Sequence, residues 1–452
     1  MNARMKLLLA IGVFFFAASS IVRAQTGTQN VRRLTLHEAV QMALKQNHMV
    51  RISEMKIEEK QHAKDVARSA YFPTISNQST LLHLTDTQFI QIAAGSLGAV
   101  SGTPIPTQPA TINQGGRTIV TSGTGLVQPL TQLFTKVKPA NDIARADLDA
   151  SRANAKQTKN EIALKVHQLY YSVLITQLHQ SASEARIKAT EALKNERVQQ
   201  VKYGSALDQE MIESTAQYLQ AKQELLTTEL LLTNLTMQLD DVVGLPLTTR
   251  LELEAVPSEE VESCKQEECV KIALESHPEV VAAREEVQKA SAGVKLSKAD
   301  YIPDVSAFAR YSYSDQVPFL ARNFGSFGVE FTYELFDGGR RRAKLEESNA
   351  QLAQARENLA RVTDDVELQV QIAYNKLQRT RELINVSKEL LDLRTEASRV
   401  SGQQLEKGEA LQSQAENAVA QKFDAQTSFL QAQLDYIQAH DEMTEAMGIT
   451  PQ

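Results

Sequence analysis

The sequence predicts a mainly α chain with a small β part, built as two tandem repeats. Each repeat is a helix, two strands and a very long helical hairpin. Three observations carry this reading. Glu38–Ser76 and Glu268–Ser306 align without a gap at an offset of 230 residues, with Glu38/Glu268, Val40/Val270, Ala43/Ala273, Leu44/Leu274, Val50/Val280, Tyr71/Tyr301, Pro73/Pro303 and Ser76/Ser306 identical. The copies match again at an offset of 204, at Val166/Val370, Tyr170/Tyr374, Gly204/Gly408, Leu207/Leu411 and Gly244/Gly448, so the first copy holds an extra 26 residues between Ser76 and Val166. Finally, Ala140–Val243 and Arg340–Met447 contain no proline, and glycine only at Gly204, Gly402 and Gly408, which is the composition of uninterrupted helix. The first repeat occupies residues 25–250, a connecting segment 251–267, and the second repeat 268–452.

Residues 1–24 have the pattern of an export signal. Arg4 and Lys6 precede an apolar run, Leu7–Val22, and Val22-Arg23-Ala24 offers a small-residue cleavage site. The run is shorter than the roughly 20 residues of a spanning helix, and no Cys follows Ala24 to take a lipid. Nothing after Gln25 is long and apolar enough to cross a bilayer as a helix, so the remainder is soluble or crosses by β-strands. A formal charge of −7 gives no basic footprint for nucleic acid. Cys264 and Cys269, the only two cysteines, would form a small disulfide loop in an oxidising compartment or remain free thiols.

Along the chain, Leu36–Ala70 reads as one helix of about 53 Å at 1.5 Å per residue. Strands are expected near Thr74–Leu84 and Thr118–Leu130, separated by a Gly-, Pro- and Thr-rich loop, Thr85–Arg117. A helix of about 60 residues then runs roughly 95 Å to a turn at Gly204, and Ser205–Val243 returns about 58 Å. The two shorter helices laid end to end match the long arm. The second copy repeats the plan with Glu268–Asp300, a short turn at Ser314–Asn323, and a hairpin turning at Gly408 whose returning arm is Glu409–Met447. Ile162, Val166, Leu169 and Val173 are spaced 4-3-4, as are Val366, Val370, Ala373 and Leu377, with the second seam continuing through Thr380, Ile384, Ser387 and Leu391. This is coiled-coil spacing.

The second-copy strands alternate. Val305, Ala307, Ala309, Tyr311 and Tyr313 make one face apolar, as do Phe327, Val329, Phe331, Tyr333 and Leu335, while Glu330 and Glu334 fall on the polar side. Such strands suit a wall between lipid and water, or a half-covered soluble sheet. Four strands cannot close a barrel, and open edges are not tolerated in lipid, so copies of the chain would complete it: two give eight strands, three give twelve. Glu330 and Glu334 would then face the lumen, either setting cation preference or simply wetting it.

The chain resembles the TolC family of outer-membrane efflux proteins. The matching residues are Leu34-Thr35-Leu36-His37-Glu38-Ala39-Val40 with Ala43-Leu44, Tyr71-Phe72-Pro73, Gln128-Pro129-Leu130, Leu335-Phe336-Asp337-Gly338-Gly339, the turns at Gly204 and Gly408, and Gly244 and Gly448 at the ends of the returning arms. The resemblance implies a homotrimer with a twelve-stranded barrel in outer-membrane lipid and a helical tunnel in the periplasm. It also implies docking through a periplasmic adaptor (membrane fusion) protein onto an inner-membrane pump, of RND or ABC type. The adaptor would meet the tips, Val201–Leu207 and Leu405–Leu411, with Val201, Gly204, Leu207, Leu405, Gly408 and Leu411 as contacts. Where family members carry constricting carboxylates, this chain has Gln414 and Asn417 with Glu416 between them; the first copy has Glu210 and Glu213. The family's usual closing partners of the first of these are replaced by Leu405 and Ala410. No metal or phosphate motif is present, and Ser53-Glu54-Met55-Lys56 stands without the partner motifs of an S-x-x-K enzyme. The expectation is a non-enzymatic exit duct without cofactors, for small toxic compounds or drugs before metal ions or secreted proteins. An exported soluble coiled-coil scaffold, and an adhesin or passive porin, are the alternatives.

Overall fold

The computed structural model describes residues 31–451 except 88, 114, 248, 255–263 and 318–319; the export signal expected at residues 1–24 lies outside the described residues. The chain opens with β1 (Val31–Leu34), α1 (Leu36–Gln46) and α2 (His48–Ser69). The Thr35 hydroxyl accepts from the Glu38 N–H while the Glu38 carboxylate accepts from the Thr35 N–H, a reciprocal cap that starts α1. After α2 comes β2 (Thr74–His83), then two small hairpins, β3 (Phe89–Ile92) with β6 (Ala110–Asn113) enclosing β4 (Ala99–Val100) with β5 (Thr103–Pro104). The stretch Thr85–Arg117, expected as plain loop, thus satisfies much of its backbone internally.

β7 (Thr118–Pro129) leads through the single turn α3 (Leu130–Gln132) and a π-helical turn, Leu133–Val137, into α4 (Lys138–Lys202). α5 (Asp208–Val243) returns, and β8 (Arg250–Leu253) pairs in parallel with β1, from Val31↔Arg250 to Leu34↔Leu253. The second copy runs α6 (Gln266–Ser276), α7 (Pro278–Ala299), β9 (Asp304–Asp315), β10 (Asn323–Thr332), α8 (Arg340–Glu406) and α9 (Gln412–Ala446). Helices of 65 and 67 residues are about 98 and 100 Å long.

One expectation is corrected here. Leu36–Ala70 and Glu268–Asp300 are not single helices; each breaks at one residue, Asn47 or His277, held at φ −62° with ψ 131° or 129°. Asn47 caps α2 by accepting from the Met49 N–H at 2.9 Å, and His277 precedes Pro278, a position that avoids helical angles. The start of the segment connecting the repeats is held in place: β8 is tied to β1, and the Tyr170 hydroxyl sits 2.9 Å from the Leu34 carbonyl and 2.8 Å from that of Glu254.

The helices form a wall one layer thick. α4 is flanked on one side by α2 and α5 stacked end to end, and on the other by α7 and α9 stacked likewise; α8 packs beyond α7 and α9. The stacked arrangement is the one expected from the lengths. Its seams are the expected ones too, with Val166, Val173, Val366, Val370, Ala373, Leu377 and Ser387 buried. Alanines such as Ala146, Ala153, Ala163 and Ala182 let the neighbouring helices approach α4 closely. The largest core cluster lies where α1, α4 and α5 meet the β1–β8 pair, around Leu34, Val40, Tyr170, Leu239 and Val243. Cys264 and Cys269 are joined as a disulfide with Cα atoms 5.8 Å apart, clipping the connecting segment to the start of α6.

Candidate functional site

The two hairpin tips are built alike. Gly204 and Gly408 have φ of +73° and +74°, angles that glycine adopts without the penalty a Cβ brings. Gly204 N–H bonds Val201 O at 2.9 Å and Ser205 N–H bonds Gln200 O at 2.8 Å; Gly408 and Glu409 repeat this on Leu405 O and Gln404 O at 3.0 and 2.8 Å. Leu207 and Leu411 then extend the chain before α5 and α9 begin. Tyr203 and Leu207 stand 78% and 68% exposed, and Leu405 and Leu411 are exposed as well.

Above the tips, Glu210 lies 3.2 Å from Arg197 on α4, and Glu213 accepts from Gln217 within its own helix. Leu207, Glu210 and Glu213 share one cleft with Arg197. Gln414 accepts from the Leu411 N–H at 3.3 Å, so its amide is occupied at the start of α9. Asn417 lines a different cleft, of about 360 Å³, where α4, α5 and α9 converge. Glu210 and Glu213 thus line one cleft and Asn417 another. Arg186, which the sequence did not single out, also lines that second cleft. It reaches Asp424 on α9 at 2.7 Å and Glu224 on α5 at 3.7 Å. The Asp424 hydrogen bond raises its pKa further.

The sheet runs β10–β9–β7–β2, antiparallel throughout. Opposed residues share a face, so Phe327, Ala309, Leu126 and Ile75 lie in one row. That face carries Phe327, Val329 and Phe331, with Phe327 90% exposed. It also holds a polar patch in which Asn77 donates to Ser122 and Thr124 at 3.2 and 2.8 Å, and Ser79 donates to Asn77. The opposite face carries Ser306, Arg310, Ser326, Glu330 and Thr121. Glu330 is on it as expected, but Glu334 is not: pairing stops at Thr332↔Asp304. The chain beyond turns into α8 through Gly338 and Gly339, both at positive φ. Asp337 fixes that turn by accepting from the Gly339 N–H at 3.0 Å and the Arg341 side chain at 2.7 Å. Glu334 is consequently drawn to Arg340.

Sheet and wall are locked together at this level. Lys136 lies 3.2 Å from Asp304 and 3.4 Å from Asp300, which also holds Lys344 at 2.9 Å. The Arg341 guanidinium sits between the Tyr301 and Tyr333 rings at 5.5 and 5.4 Å, within cation–π range. Deeper in the wall, α4 and α9 share a buried cluster: Asp441 takes hydrogen bonds from His167 at 2.6 Å and the Tyr171 hydroxyl at 2.8 Å. Asp441 is 270 residues or more from both partners in sequence, and no local signal announces the cluster.

With this geometry in view, similarity to known proteins is informative. The family model "Outer membrane efflux protein" matches residues 269–449. The outer membrane efflux protein BepC of Brucella suis biovar 1 is 28% identical over 120 residues, a match spanning only 26% of this chain and 26% of that one. Among solved structures, the CmeC outer membrane channel of Campylobacter jejuni superposes with a TM-score of 0.75 at 13% identity, over 91% of this chain and 85% of that one. The outer membrane protein VceC of Vibrio cholerae does so at 0.73 and 15% identity, over 92% and 97%. Residues 269–449 thus match the outer membrane efflux protein family model, and the chain as a whole carries the fold of these outer-membrane channels.

Proposed function

We propose that three copies of this chain form a channel-tunnel that serves as the exit duct of a tripartite efflux pump, carrying small toxic compounds or drugs outward. The observation that carries this reading is that both the sheet and the wall end in edges that match each other. Among the described residues β2 and β10 each have a free edge, and an unpaired edge in hydrocarbon leaves backbone groups unsatisfied at several kcal/mol each. The wall is open in the same sense. On its α8 side, Leu383, Val386, Leu390, Leu393 and Val400 stand exposed at spacings of 3, 4, 3 and 7. On its opposite side, Ile212, Leu219, Leu226, Leu230 and Met237 of α5 are exposed at 7, 7, 4 and 7. Two unpartnered heptad seams on opposite sides of one layer suit head-to-tail repetition around an axis, which closes as a ring. Three copies bring twelve strands.

The exposed tips, with Tyr203, Leu207, Leu405 and Leu411 at their ends, offer a periplasmic adaptor its docking surface. An inner-membrane pump of RND or ABC type behind that adaptor would supply the energy. The test is deletion of the gene in its own host, followed by complementation. Loss of tolerance to detergents, dyes and antibiotics, restored by the wild-type gene, is expected; unchanged tolerance and unchanged dye accumulation would overturn the drug-efflux reading. Cross-links from cysteines placed at Tyr203 or Leu411 to an adaptor would test the docking surface separately.

A further inference from the structure

The polar face of the sheet carries two unpaired charges, and they stand at different heights. Arg310 is mid-strand on β9, opposite Ser326 on β10 and Gly125 on β7, with Ser76 completing the row on β2. It is the long side chain of a row otherwise made of serine and glycine. Its side chain is exposed, and no carboxylate among the described residues pairs with it. A Cβ on Gly123 would lie 3.8 Å from Arg310 Nε, so the arginine stem runs over a part of β7 with no side chains to cover it. Glu330, the other charge, is opposite Ser306, four residues nearer the helices along β9. That is about 14 Å of strand, more than the roughly 8 Å screening length at physiological salt. Neither charge neutralises the other. The remaining acids nearby are engaged, Asp304 by Lys136 and Glu334 by Arg340.

Resting on the channel reading above, we propose that Arg310 is a selectivity-determining residue: three copies form a cationic ring midway through the barrel that favours anionic over cationic solutes. Glu330 forms a separate acidic ring at the helix end of the barrel. Charges lining a water-filled pore with low-dielectric walls raise the local concentration of counter-ions. The ring therefore holds small organic anions in the exit and repels organic cations, in a row with no other charged side chain.

The experiment is reversal-potential measurement on purified protein in planar bilayers under a KCl gradient near 0.1 M. Arg310→Ser is expected to shift the chloride-to-potassium permeability ratio toward potassium by about two- to threefold, the size of three screened charges at pore-radius distance. Arg310→Lys should keep the wild-type ratio, and Glu330→Gln should move it the other way. Conducting channels whose ratio is the same for wild type, Arg310→Ser and Arg310→Gln would overturn the inference while leaving the channel intact. Absence of any conductance from wild-type protein would overturn the channel reading and the inference with it. Should Arg310→Ser not assemble, the same shift is read from Arg310→Gln against Arg310→Lys.

Discussion

Burial by itself would push the Asp441 carboxyl up, yet the hydrogen bonds from His167 and the Tyr171 hydroxyl, with His440 3.8 Å away, together hold it below the usual range. A carboxylate with a depressed pKa contributes stability above its unfolded value of about 4, and that contribution is lost as pH falls through the lower folded value. Removing one partner leaves the other buried and unpaired, so Asp441→Asn or His167→Ala should each destabilise by about 3 kcal/mol at neutral pH. Thermal melts at pH 7 and pH 3 check both the size and the direction, the deficit of Asp441→Asn beginning to shrink below about pH 4. Asp240 behaves oppositely. It is fully buried with neither carboxylate oxygen bonded, and desolvation raises its pKa to about 6. Between pH 4 and 6 the folded chain binds more protons than the unfolded one, so stability falls as pH rises through that window. Asp240→Asn should raise the melting midpoint at pH 8 by about 2 °C and leave it unchanged at pH 4. Neither role was legible in the sequence, because both depend on what lies across a helix interface. Arg186 was missed for the same reason, its partner Asp424 being far away in the chain.

At the scale of elements, the long arms, their turns and their seams were legible because a period sustained over many turns, without proline, leaves few alternatives. The gap-free offset between copies did the rest, since each copy corroborates the other. The breaks at Asn47 and His277 were not legible as breaks, because one extended residue barely disturbs the apolar period on either side; Pro278 was the visible clue. Glu334 was misplaced because polar–apolar alternation in the sequence outlasts the hydrogen-bonded strand by three residues, through Leu335. The hairpins within Thr85–Arg117 are short pieces among glycines and prolines, where pattern is weakest. The tips give a direct check. With φ at +74°, Gly408→Val puts a branched side chain where left-handed backbone costs about 1 to 2 kcal/mol. Hydrogen exchange at residues 400–415 is expected to accelerate in that variant, while the amides of α8 near Val370 stay protected.

For the whole molecule, what the sequence could not fix was multiplicity: four strands and two open seams demand partners without counting them. Val386 and Leu393 on α8 are each 65% exposed in the single chain, and a carboxylate on either would face apolar partners in an assembled wall. Val386→Glu together with Leu393→Glu should lower the assembled fraction at least tenfold, read by size-exclusion chromatography in detergent, with helix content by circular dichroism kept. The same substitutions in a monomeric scaffold would be silent. The most direct measurement is the mass of the detergent-extracted wild-type protein by native mass spectrometry. A species of three chains, resistant to dilution, is the expected result. A monomer that conducts across a bilayer on its own would contradict the account at its root.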